Sequence, residues 1–70
     1  MTPPRDAVLT VLRDAGEPLH WTVIQDRVLR EGAIDPFEVP DVRGTVLGAL
    51  RTLVEEGIVV KTAKGVYAPA

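Results

Sequence analysis

Apolar and polar positions follow two rhythms along this chain, and the switch between them predicts its elements. From Val42 the large apolar residues stand at 42, 46, 47, 50, 53 and 54, a spacing that gathers them on one face of an α-helix. Gly57 follows as a stop, because glycine takes the left-handed conformation that ends a helix without a Cβ penalty. Ile58-Val59-Val60 is short and β-branched and predicts a strand. Ala63-Lys64-Gly65 reads as a turn, and Val66-Tyr67-Ala68 as the returning strand. A long helix that runs into a hairpin is the second half of a winged helix-turn-helix.

The first half supplies two more helices. Thr2 is placed to cap a helix whose first positions are Pro3 and Pro4, where a missing N–H costs nothing. Ala7, Val8, Val11, Leu12 and Ala15 make its apolar stripe, Arg5, Asp6, Arg13 and Asp14 face water, and Gly16 ends it. Gly-Glu-Pro-Leu-His at 16–20 is a tight connector, with Leu19 dropping into the core and a short strand at Pro18–His20. The second helix starts near Trp21, capped by His20 or Thr22, and buries Val23 or Ile24, Val28 and Leu29 before stopping at Gly32. Pro36 and Pro40 rule out a continuous helix through the next loop, which Ile34 and Phe37 are expected to pin to the domain. Pro40 and Asp41 suit the first turn of the third helix. The expected fold is α+β: a small winged helix-turn-helix of three helices and a C-terminal β-hairpin wing, in one domain spanning 1–70.

Composition narrows the chemistry. Hydrophobic residues make up 46% of the chain, enough for a folded core, but the aromatic ones are only Trp21, Phe37 and Tyr67, so that core must be aliphatic. Cysteine is absent, which removes disulfides, thiol nucleophiles and cysteine zinc sites. Serine is absent too, and His20 is the single histidine, expected as a neutral ring bonding backbone at a helix start. Glu55 and Glu56 are adjacent on a helix and so diverge, while Asp35, Glu38 and Asp41 lie in or beside a loop. With no glycine-rich phosphate loop either, no enzyme activity, cofactor or metal is expected. No apolar run approaches the roughly 18 residues of a membrane span, and the first residues lack the apolar core of a signal peptide. A cytoplasmic protein, or one domain of a larger one, is expected.

Charge bears on the partner. The net charge is −2, unevenly spread. Residues 1–38 hold four Arg against seven acids, while residues 39–70 hold four Lys and Arg against three acids. With Val46, Leu47, Leu50, Leu53 and Val54 inward, the third helix turns Asp41, Gly44, Thr45, Gly48, Thr52 and Glu55 outward, with Arg51 at the edge and Arg43 nearer the core side. Small residues there let the backbone approach another surface closely. One reading is entry into a groove of double-stranded DNA, with Thr45, Gly48 and Thr52 against the duplex and Arg43 and Arg51 as charged contacts. Another is a partner helix admitted by Gly44 and Gly48, and a third is an ordinary solvated face. Two glycines in a helix interior cost about 1 kcal/mol each relative to alanine, which weighs against the third. In the wing, Lys61 and Lys64 are placed to neutralise phosphates, or simply to keep an exposed hairpin soluble.

Ala7 to Ile24, with Gly-Glu-Pro-Leu-His at 16–20 and Trp21 behind it, and Lys-Gly-Val-Tyr-Ala at 64–68 together resemble the HARE-HTH family. That family is a winged helix-turn-helix module of chromatin proteins, restriction endonucleases and a bacterial RNA polymerase subunit. The resemblance spans nearly the whole chain but departs between Pro40 and Leu50, where the family runs into its third helix over fewer residues. It implies the winged fold first. It also fits a DNA-binding module in transcription control or attached to a DNA-acting protein. The alternative is a protein-interaction winged helix, docking on RNA polymerase or another protein, or a homodimerisation module; the chain itself is expected as a monomer or weak homodimer, away from membranes.

Overall fold

A computed structural model describes residues 3–70. Its elements run α1 (Pro4–Ala15), β1 (Leu19–His20), α2 (Trp21–Arg30), α3 (Val42–Glu55), β2 (Val59–Ala63) and β3 (Val66–Pro69). The three strands form one antiparallel sheet in the order β1-β3-β2, so the connector strand lies on one edge and the first hairpin strand on the other. Leu19 pairs with Tyr67 and His20 with Val66. This is the expected α+β arrangement of three helices and a terminal hairpin, winged-helix-like in topology.

Each helix ends by a device legible in the sequence. After α3, Gly57 sits at φ 75, its N–H bonds Val54 O, and the Ile58 N–H bonds Leu53 O. The same pair of reverse bonds closes α2 around Gly32, from the Gly32 N–H to Leu29 O and from the Ala33 N–H to Val28 O. Both satisfy carbonyls that would otherwise be orphaned at the helix end. Ile58 is held in that closure, so β2 starts one residue later than its β-branched character suggests. At the other end of α3, the Asp41 carboxylate accepts from the Gly44 N–H at 2.9 Å. His20 caps α2. The proposed Thr2 cap lies outside the described residues; α1 itself begins at Pro4, with Pro3 in the cap position.

The core is wholly aliphatic, as the shortage of aromatic residues requires. Leu12, Ile24, Leu50 and Leu53, with Val8, Val28, Val46 and Val59, are fully enclosed, and among the described residues no polar residue is buried with them. Trp21 and Tyr67 are half-buried and pack against its edge.

Five details differ from expectation. On α3 the buried stripe is Val46, Ala49, Leu50 and Leu53, so Ala49 replaces Val54, which is 38% exposed, and Leu47 is only half-buried. The helix is rotated so that its inner arc centres between Ala49 and Leu50, and α1, α2 and β2 all pack against it. Leu9 is buried as well, because α1 packs against α2, α3 and β3 and has a wider covered arc than one stripe needs. In α2, Ile24 is the inward residue, Val23 is exposed and Leu29 is half-buried. Phe37 does not pin its loop: it is 97% exposed, while Ile34 and the half-buried Val39 anchor the two sides instead. Arg5, expected free in water, reaches 51 residues along the chain to Glu56 at 2.7 Å. That contact raises its pKa above the ordinary guanidinium value, chiefly through the hydrogen bond.

Candidate nucleic-acid interface

The expected contact residues divide into two groups that the fold treats differently. Thr45, Gly48, Arg51 and Thr52 lie along the solvent side of α3, all exposed except the half-buried Thr45. Two of them are engaged within the helix. The Arg51 Nε donates to Glu55 at 3.2 Å, one turn on, and the Thr52 hydroxyl donates back to Gly48 O at 3.1 Å. The positive charge of Arg51 is therefore offset locally, and Glu55 stands on the same outward face. Glu56 is taken up by Arg5. A continuous positive stripe from Arg51 to the wing is thus interrupted by carboxylates.

The second group is Arg43, Lys61 and Lys64. All three are exposed, and none has a carboxylate partner among the described residues. The Arg43 guanidinium does not turn toward the core. It lies over the Trp21 ring, 5.1 Å from the ring centre, a distance at which the negative face of an indole attracts a cation. The Trp21 backbone N–H in turn donates to Gly65 O at 2.9 Å. Gly65 is the left-handed residue of the wing turn, at φ 74, directly after Lys64. First turn of α3, first residue of α2 and tip of the wing thus meet at one corner.

Close packing keeps that corner in place. A Cβ added to Gly65 would stand 2.8 Å from His20 Nε2 and 3.2 Å from Trp21 Cδ1, too close for a side chain to fit without displacement. The His20 and Trp21 rings lie 5.7 Å apart at their centres. His20 Nδ1 accepts the Thr22 N–H at 3.2 Å and lies 2.8 Å from the Thr22 hydroxyl. A backbone N–H can only donate, so this cap uses the ring with Nδ1 unprotonated. In the wing, β2 and β3 pair Lys61 with Tyr67 and Ala63 with Val66, leaving Thr62 as the extra residue of a bulge. Such a bulge bends the strand and sharpens its twist just before the tip.

The two α3 glycines have separate explanations. A Cβ on Gly44 would collide with the Asp41 carboxylate that caps the helix, so Gly44 is small for an internal reason. A Cβ on Gly48 meets nothing within 4 Å. Only Gly48 keeps the helix surface low toward the outside.

The stacking of Arg43 on Trp21 was not expected from spacing, which placed Arg43 nearer the core. The available signal was a tryptophan directly after a helix cap, whose ring must lie at the end of α2 rather than along it. Among the described residues, no helix is long and apolar enough to cross a membrane, and no three His, Asp or Glu side chains gather as a metal site requires. Compared with known proteins, the chain matches no family model, no curated protein and no solved structure.

Proposed function

We propose that this chain is a DNA-binding winged-helix module whose contact with the duplex is made mainly to phosphates, by Arg43, Lys61 and Lys64. The observation that carries this reading is the corner at which Arg43, held on Trp21, meets the wing turn beside Lys64. Cations without carboxylate partners there would release counterions from DNA, whereas Arg51 is paired with Glu55 one turn on. Thr45 and Gly48 would then lie against the backbone, with Thr52 at the margin. Few base-reading side chains stand on α3, so binding should be weakly selective in sequence. The resemblance to the HARE-HTH family agrees with a role in transcription control or as an accessory domain of a DNA-acting protein. No catalytic role is part of this proposal.

Amide-shift titration with a short duplex at two salt concentrations tests it. Three phosphate contacts give a slope of log K on log salt of about −2.7, and Lys61→Ala with Lys64→Ala should flatten it by about two units. The loss should be the same for unrelated sequences. Equal affinity of parent and double variant at low salt would end the phosphate role of the wing.

A second reading, docking on RNA polymerase or another protein, or self-association, is favoured by the open surface over Gly48 and by Glu55 at the end of the outer face. Absence of any shift with duplex at low salt would select it.

A further inference from the structure

Among the described residues, the most exposed large apolar side chain is Phe37, in the α2–α3 loop, and it is displayed by a fixed turn. Asp35 organises that turn. Its carboxylate accepts the Phe37 N–H at 2.9 Å, and its carbonyl accepts the Glu38 and Val39 N–H groups at 3.1 and 2.9 Å. Buried Ile34 on one side and half-buried Val39 on the other hold the turn to the body. Phe37 therefore projects from an anchored base, so little ordering is needed for it to enter a pocket. That lowers the entropic cost of binding.

The surroundings define what would receive it. From Glu31 to Asp41 the chain carries Glu31, Asp35, Glu38 and Asp41 and no Lys or Arg. All four are exposed, and none forms an ion pair among the described residues. An exposed aromatic ring in a stretch whose four carboxylates have no ion-pair partner among the described residues is disfavoured on nucleic acid and on anionic lipid. It is complementary to a protein surface with an apolar pocket rimmed by lysine or arginine. We infer that the α2–α3 loop is a docking element for such a basic protein partner, with Phe37 as its anchor. This inference does not rest on the DNA reading.

The test uses a phage-displayed library of random peptides selected on the intact chain. Selected binders should combine basic with apolar residues, shift the amides of residues 34–41, and weaken as salt rises. Phe37→Ala should reduce their affinity about 30-fold or more, the scale of an interface hot spot, with the thermal unfolding curve unchanged. Glu31→Lys with Glu38→Lys should weaken the same binders and remove their salt dependence. Duplex binding should be the same in Phe37→Ala as in the parent, which separates failure here from failure of the DNA reading. Binders that shift only α3 or the wing, binders indifferent to Phe37→Ala, or no binders at all would overturn the inference. So would a parent that sediments as a dimer broken by Phe37→Ala, or duplex DNA that shifts residues 34–38.

Discussion

Gly44 and Gly48 are one turn apart on α3 and look alike in the sequence, yet the fold gives them opposite reasons to be glycine. Gly48 faces open space, so Gly48→Ala should gain about 1 kcal/mol of helix propensity. In a domain of this size that is a rise in melting temperature of about 4–8 °C. Gly44→Ala must push aside the Asp41 carboxylate, and losing that cap costs about as much as alanine contributes. Its melting temperature should stay level or fall. Equal stabilisation by the two changes would mean that the cap contributes nothing. A stability penalty retained at Gly48 is what a surface kept low for a partner would show.

At the scale of elements, what could be read in advance was what local chemistry controls. Gly32 and Gly57 ended their helices, His20 capped α2, Asp41 capped α3, and Leu19 made the short strand that joins the hairpin. Each depends on a residue's own conformational preference or on a donor within reach along the chain. The misplaced residues were those whose environment comes from elements distant in sequence. Val54 and Ala49 exchanged places because α1, α2 and β2 together decide which arc of α3 is covered, and Leu9 was buried because α1 packs against three other elements. Phe37 is expected to pin its loop to the domain, but between Pro36 and Glu38 its direction is set by Asp35. The candidate interface was half legible for the same reason. Lys61 and Lys64 follow from the hairpin pattern, whereas Arg43 on Trp21 requires three separate elements to converge.

Across the whole molecule, Gly65 is where sheet and helices are joined. Its carbonyl binds the start of α2, and its missing side chain leaves room for His20 and Trp21. Gly65→Ala forces a left-handed conformation on a residue with a Cβ and crowds both rings. The cost should be about 2 kcal/mol, seen as a drop of about 10 °C in melting temperature. Amide shifts should move at Trp21 and Arg43 as well as in the wing. Changes confined to residues 63–67 would mean that the wing is not coupled to α3. The Arg5–Glu56 pair spans the molecule too, but it is exposed and should contribute little.

Trp21 is the only tryptophan in the chain, and a guanidinium lies over its indole. The protein therefore carries an intrinsic fluorophore at the junction of helix and wing, sensitive to the charge beside it. A phosphate that draws Arg43 off the ring would change the emission without any label. A ligand held by Phe37 would leave the emission as it was, so ultraviolet excitation alone would report which of the two surfaces had been engaged.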